Sequence, residues 1–132
     1  MHAVVTQVEV QVVPFGSEER AARWDLFSGP DLYYEAYDPD GDRLHTSDVV
    51  NDVRPRDLPV GLDAGFSVEG GGRHVLQLLD ADLLEDEVVG QVGFALDRLA
   101  EQGRSRAPTR TLCLQDGDTT LRVVLEWREA PS

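Results

Sequence analysis

The 132-residue sequence predicts an all-β fold, an eight-stranded antiparallel sandwich. Apolar and polar residues alternate along several segments, which is the period of a half-buried strand. Turn residues, chiefly Gly, Pro and Asp, separate these segments at spacings of roughly 8–12 residues. Long amphipathic helical patterns are absent, and neither an internal repeat nor a composition shift divides the chain. We therefore expect residues 1–132 to form one domain.

The first half of the chain contains three predicted strands. Residues 3–13 alternate, with one face carrying Val4, Thr6, Val8, Val10 and Val12. Residues 17–23 fit a short helical turn, and residues 24–31 fit a loop because Ser-Gly-Pro interrupts regular structure. An aromatic strand at 32–37, a turn at 38–42 and a returning strand at 43–50 form a hairpin. Residues 51–61 are predicted to be a surface connection.

The second half supplies the remaining strands. A short strand at 62–68 and a glycine turn at 70–72 lead to a strand at 74–79, which enters an acidic loop. The following strand alternates through Val88, Val92, Phe94 and Leu96. Residues 97–103 resemble one helical turn closed by glycine. A last hairpin joins 110–115 to 119–128, and its predicted inner face carries Leu121, Val123, Leu125 and Trp127.

Charge is the unusual feature of the composition. All 12 basic residues are Arg, and 25 acidic residues leave a net charge of −13. This charge opposes binding to nucleic acid and unaided docking on anionic lipid, although it also serves solubility. Cys113 is the only cysteine, so an internal disulfide is excluded. We find neither a signal-peptide pattern nor a membrane-spanning apolar run. We therefore expect a cytoplasmic protein whose membrane contact, if any, is peripheral.

Two predicted loops concentrate carboxylates. One loop has Asp25 and Asp31, and the other has Asp80, Asp82, Asp86 and Glu87. Acids held this densely by flanking strands repel one another unless a cation lies among them. Calcium suits carboxylates from flexible loops best, magnesium ranks second, and zinc is disfavoured because no Cys or His is near. The alternative is that both loops are solvated acidic surface.

Apolar residues lie between the acids of both loops. These predicted tips are Leu26, Phe27, Leu83 and Leu84. Inserting one such side chain into an apolar environment yields roughly 1.5–3 kcal/mol at full burial, so four tips partly inserted in a membrane interface are enough to contribute to docking, whereas one alone is not. The alternative is that the tips fold back and pack on one another or on Trp24.

The whole chain resembles a C2 domain, the family of calcium- and lipid-binding β-sandwiches. Residues 25–34 are similar to the family's first loop: an acid, a glycine-containing segment, and an Asp that opens an aromatic strand. Residues 76–90 resemble its third loop, in which Asp-x-Asp and a further acid precede two aliphatic residues and Gly. Residues 43–47 resemble the strand with the common Thr-Ser. The closing strand, 119–127, implies the phospholipase-type (type II) topology.

The resemblance also implies a ligand set. It places calcium ligands at Asp25, Asp31, Asp80, Asp82 and Glu87, with Asp86 replacing or supporting Glu87. The sequence departs from the family in several ways. Leu32 replaces the usual Pro, residues 56–60 lack the usual Trp and Asn, the third loop is one residue short, and the basic lipid patch has no counterpart. These departures bear on the number of calcium ions bound, and we expect a divergent, stand-alone member of bacterial type.

Two functions follow from this resemblance. In the first, calcium orders the acidic loops, and the tips dock on a membrane surface, with neutral lipid favoured, or on a protein. In the second, the chain is a calcium-independent interaction module or a subunit of a larger assembly. No nucleophile–base pairing emerges around Cys113, His2, His45 or His74, so we do not expect an enzyme.

Overall fold

A computed structural model describes residues 2–13, 29–81, 85–102 and 109–129. The strands in these ranges are β1 (His2–Val12), β2 (Leu32–Tyr37), β3 (Arg43–Thr46), β4 (Val60–Leu62), β5 (Phe66–Glu69), β6 (Arg73–Asp80), β7 (Glu87–Ala95), β8 (Thr109–Asp116) and β9 (Thr119–Glu129). A helix, α1 (Leu96–Gln102), follows β7, and Pro55–Asp57 forms a 3-10 turn. The predicted turn at 17–23 and most of the predicted loop at 24–31 lie outside the described residues.

The strands form two antiparallel sheets, and together they make the expected sandwich. One sheet has the order β4-β1-β9-β8, and the other has the order β3-β2-β6-β7. The first and last strands are neighbours, because β1 pairs with β9 along most of its length. This adjacency is the arrangement that the phospholipase-type topology requires, so the predicted fold class is confirmed.

The predicted strand at 62–68 is interrupted. Its two parts, β4 and β5, pair with successive segments of β1, since Val8 lies opposite Leu62 and Val5 lies opposite Phe66. Gly65 separates them with a φ of +100°, and its N–H donates to the Val5 carbonyl at 2.7 Å. A positive φ suits glycine, which has no Cβ to clash with the backbone. The expected eight strands therefore become nine in the described residues.

The predicted inner face of β1 is partly wrong. The side chains that enter the core are those of Ala3, Val5, Val8 and Val10, whereas Thr6 is exposed. The pairing of β1 with β9 shifts register between Val5 and Gln7. A bulge of this kind inserts one residue and reverses the side-chain alternation beyond it. A further shift, between Val10 and Val12, leaves Val12 48% exposed.

Strand β7 contains the same kind of error. Val88 was expected in the core but is 43% exposed, and Val89 is buried instead, together with Val92 and Phe94. The pairing of β6 with β7 shifts register between Leu78, which lies opposite Gly90, and Leu79, which lies opposite Val88. The local irregularity therefore places Val88 and Val92 on different faces, while the remainder of the predicted face is correct.

The core lies between the sheets and holds the strands that lead to the acidic loops. Its largest side chains with less than 2% exposure include Tyr34, Leu32, Leu76, Leu78, Leu121 and Leu125. Tyr34 satisfies its hydroxyl by donating to the Asp63 carbonyl at 2.6 Å. Burial of each large apolar side chain stabilises the fold by roughly 1.5–3 kcal/mol. The ends of β2 and β6 therefore emerge from a rigid base.

The two predicted hairpin turns are present. At 38–42, the Asp38 N–H donates to the Asp42 carbonyl at 2.9 Å, and Gly41 has a φ of +88°. Gly117 has a φ of +58° between β8 and β9. The returning strand β3 is shorter than the predicted 43–50, because regular pairing ends at Thr46 and only an isolated bridge joins Val50 to Leu32.

Candidate functional site

Acidic residues meet at one end of the second sheet. Asp31 immediately precedes β2, Asp80 ends β6, and Glu87 begins β7. In the antiparallel pairing Leu32 lies opposite Asp80, and Asp80 lies opposite Glu87. The register therefore brings together carboxylate residues from both of the acidic segments that the sequence singled out.

The two segments are joined by direct hydrogen bonds. The Asp31 N–H donates to Asp80 Oδ1 at 2.9 Å, across 49 positions of sequence. The Ala81 N–H donates to the Asp31 carbonyl at 2.8 Å. Asp80 is only 9% exposed, so its carboxylate is held within the fold rather than in a mobile solvated loop. The expected convergence of Asp31 with Asp80 is therefore present, and their roles as metal ligands stay predictions.

A third segment, residues 50–54, completes this end of the molecule. The Asp52 N–H donates to Asp31 Oδ1 at 2.8 Å, and Asp52 has a φ of +53°. Asp52 Oδ1 accepts from the Gly29 N–H at 2.6 Å and from Arg54 Nε at 2.8 Å. The Gly29 N–H, followed by the Arg54 side chain, holds the pKa of Asp52 below its ordinary value.

Sequence reasoning missed Asp52, because residues 51–61 carry no periodic pattern and were interpreted as a surface connection. The available signal was chemical. Asp and Asn tolerate positive φ and hydrogen-bond nearby backbone, and Asn51 and Asp52 stand together directly after a strand.

Gly29 allows the close approach of these segments. A Cβ at this position would lie 2.1 Å from the Val53 carbonyl oxygen, which is far inside any normal contact. The Val53 N–H donates to the Pro30 carbonyl at 2.9 Å, and the Val53 side chain is 1% exposed. Glycine here therefore lets the chain dock on residues 50–54, and this docking fixes the position of Asp31.

Asp86 and Glu87 occupy different environments. The Tyr33 hydroxyl donates a hydrogen bond to Asp86, and the pKa of Tyr33 is raised, first by burial and then by this carboxylate. Glu87 instead lies opposite Asp80 in the β6–β7 pairing. The resemblance left open whether Asp86 replaces Glu87 as a ligand or supports it. This arrangement favours the second alternative, with Glu87 beside Asp80 and Asp86 in a supporting position.

The described residues hold part of the predicted site. Outside them lie the predicted ligands Asp25 and Asp82 and all four predicted tips, Leu26, Phe27, Leu83 and Leu84. Within the described ranges, no three Asp, Glu, His or Cys side chains are grouped to hold a metal ion. The donors near Asp31 and Asp80 are oxygens, which suit a hard cation such as calcium, and a full shell of six to eight oxygens requires further ligands.

Comparison with known proteins gives fold-level agreement only. No protein-family model matches the chain, and no curated protein sequence matches it. Among solved structures, one described as a C2 domain matches with a TM-score of 0.64 and 15% identity, over 96% of both chains. Human group IVD cytosolic phospholipase A2 matches with a TM-score of 0.66 and 14% identity, over 95% of this chain and 17% of its own.

Calcium-bound extended-synaptotagmin 2, in a structure that contains a pair of its C2 domains, matches with a TM-score of 0.65 and 14% identity. The match covers 96% of this chain and 44% of the other. The molecule is thus a two-sheet antiparallel sandwich with acids gathered at one end, and its fold is that of a C2 domain, as the sequence resemblance implied. Within the part of the chain that is described, no helix has the length and apolarity to cross a membrane.

Proposed function

We propose that this chain is a calcium-binding, non-catalytic C2-like module that acts in the cytoplasm and docks on a neutral lipid surface or on a protein. The observation that carries the proposal is the hydrogen bond from the Asp31 N–H to Asp80 Oδ1, which joins the two acidic segments. The calcium-bound state of the similar extended-synaptotagmin 2 structure supports the choice of ion.

The proposed ligands share one electrostatic problem. They are Asp25, Asp31, Asp80, Asp82 and Glu87, with Asp86 in support. Two unit charges 4 Å apart repel by about 4 kcal/mol at the effective dielectric constant near a protein surface. The strands that hold Asp31, Asp80 and Glu87 cannot separate, because they are paired with one another. A divalent cation would relieve this repulsion and order the loops.

Docking would then follow from the tips, Leu26, Phe27, Leu83 and Leu84. The net charge of −13 disfavours an anionic bilayer, so a zwitterionic lipid surface or a protein is the expected target. Flotation with phosphatidylcholine vesicles tests the lipid target. We expect calcium-dependent flotation that Leu83→Ser with Leu84→Ser abolishes. Absence of flotation with calcium would leave the protein target as the docking surface.

Calcium binding is tested by calorimetric titration and by melting temperature. At calcium concentrations 100 times the dissociation constant, binding stabilises the folded state by about 2.7 kcal/mol. For 132 residues this corresponds to a rise of about 10 °C in melting temperature, from the usual unfolding entropy per residue. No heat and no rise at millimolar calcium would contradict the proposal.

A matched pair of double variants tests whether calcium binds at the acidic loops. Asp80→Asn with Asp82→Asn is expected to remove both the heat and the temperature shift. Asp40→Asn with Asp42→Asn makes the same change in charge in the exposed turn between β2 and β3, at the other end of β2. This control is expected to bind calcium as the unaltered protein does, since a general effect of negative charge would weaken both variants alike.

One observation favours the alternative, a calcium-independent interaction module. Backbone N–H groups already donate to Asp31, Asp52 and Asp80, and the Arg54 guanidinium lies against Asp52. These contacts offset part of the negative charge without a metal. If partner binding survives Asp80→Asn with Asp82→Asn unchanged and calcium has no effect on melting, this alternative is the correct function.

A further inference from the structure

A groove lies at the end of the molecule opposite the acidic loops. It has a volume of about 640 Å³ and runs between the start of β6, the end of β7, α1 and β8. Phe94, Leu99, Leu112 and Leu114 form its apolar floor. It is about 23 Å from the acidic site, because its edge at Arg73 is seven residues from Asp80 along β6. The volume falls in the range of ligand pockets.

Two arginines line this groove, and one of them occupies a specific position. The Arg73 guanidinium lies over Gly93, where a Cβ would come within 2.3 Å of Arg73 Nε. The absence of a side chain at Gly93 therefore provides the space in which the guanidinium rests. Arg98, on α1, lines the groove as well, and both arginines are exposed.

Neither arginine is paired within the described part of the chain. Among those residues no hydrogen bond or ion pair forms at Arg73 or Arg98, whereas Arg43, Arg54 and Arg128 each contact a carboxylate. In a protein with 25 acidic and 12 basic residues, two such arginines beside one groove form a local positive surface. Asp97 also lines the groove, but its Oδ1 is buried and therefore lies out of reach of a bound molecule.

We propose that this groove binds an extended segment of a partner protein that combines acidic and apolar side chains. Its carboxylates would pair with the planar guanidinium groups of Arg73 and Arg98, which match carboxylate geometry. Its apolar side chains would cover the floor of the groove. An anionic bilayer presents a dense layer of negative charge, which the net charge of −13 opposes more strongly than it opposes one short acidic segment.

The test uses a defined probe, a fluorescein-labelled, end-capped peptide of alternating Glu and Leu. A protein this acidic repels an acidic peptide in general, so its binding requires a local site. We expect fluorescence anisotropy to show saturable binding of the Glu-Leu peptide, at least tenfold tighter than binding of a matched Gln-Leu peptide. Binding should be the same with and without calcium, which separates this site from the acidic loops.

Three groove variants and one control variant test the residues involved. Arg73→Glu and Arg98→Glu should each weaken binding at least tenfold. Arg56→Glu, an equal change of charge at an exposed position outside the groove, should leave it within twofold. Gly93→Ala should also weaken binding without changing charge, because the added methyl group displaces the Arg73 guanidinium. Melting temperatures measured alongside confirm that each variant is folded.

Three results would contradict this proposal. No preference for the Glu-Leu peptide over the Gln-Leu peptide would overturn the proposal. Equal loss of binding in Arg56→Glu and Arg73→Glu would overturn it too, because net charge rather than the groove would then govern binding. Groove-dependent flotation with phosphatidylserine vesicles, without peptide binding, would assign the groove to lipid instead.

Discussion

Replacement of Gly29 by alanine tests how the acidic end is assembled. The added Cβ would lie 2.1 Å from the Val53 carbonyl oxygen, so residues 29–31 must move away from residues 50–54. This movement breaks the hydrogen bond from the Val53 N–H to the Pro30 carbonyl, which contributes about 1 kcal/mol. It also partly exposes Val53, which adds about 1 kcal/mol, half of a typical burial energy.

The expected loss for Gly29→Ala is therefore about 2 kcal/mol. At an unfolding entropy of about 2.1 cal/mol/K per residue, the melting temperature falls by about 7 °C. Urea denaturation followed by circular dichroism gives the free energy directly. Gly61→Ala is the matched control, because no atom lies within 4 Å of a Cβ built at Gly61. We expect this control to change stability by less than about 0.5 kcal/mol.

Calcium affinity provides a second measurement on the same variant. Asp31 is held by the contact between residues 29–31 and residues 50–54, so Gly29→Ala should weaken calcium binding and Gly61→Ala should not. If Gly29→Ala is as stable as Gly61→Ala, the close approach of the two segments is not a determinant of the fold, and the reasoning about the position of Asp31 is refuted.

Three further predictions concern the core and the titrating groups. Burial is the first cause of a raised pKa at all three tyrosines, Tyr33, Tyr34 and Tyr37. Because the protonated form of a buried tyrosine is favoured in the folded state, its contribution to stability is complete below pH 10 and is lost as pH rises further. The phenolate absorbance of Tyr34, which is fully buried, should therefore appear only together with alkaline unfolding. Burial lowers the pKa of His74, so stability should fall as pH drops below 6.5, and His74→Leu should reduce this fall in a series of melting temperatures against pH. Gly90→Ala should cost about 1–3 kcal/mol through overpacking against Thr119, whose Cβ, Cγ2 and Oγ1 would lie 2.7, 2.8 and 2.9 Å from the new Cβ. Thr119→Ala removes the last two of these atoms, so in urea denaturation the double variant should lose less stability than the sum of the two single variants.

The fold was predictable because its determinants are local. Alternation identified the strands, and the turn residues around Gly41 and Gly117 placed both hairpins correctly. The inner faces of β1 and β7 were partly wrong for a different reason. A bulge depends on the register with a partner strand, so the sequence of β1 alone cannot reveal that its alternation reverses after Val5.

The candidate site was likewise only partly predictable from the sequence. The meeting of Asp31 with Asp80 was predictable, since the resemblance assigned both segments to loops at the same end of a sandwich. The contribution of Asp52 was not, because it depends on a positive φ and on docking against Gly29, neither of which leaves a periodic pattern. The two unpaired arginines of the groove could not be predicted either, because the sequence does not show which arginines pair with carboxylates in the folded chain.

Crystallography of the protein with calcium tests the central claim most directly. Anomalous difference density should place an ion about 2.3–2.6 Å from carboxylate oxygens of both Asp31 and Asp80. An ion bound by one of these residues without the other, or no ion between them at millimolar calcium, would contradict a shared site formed by the two acidic segments.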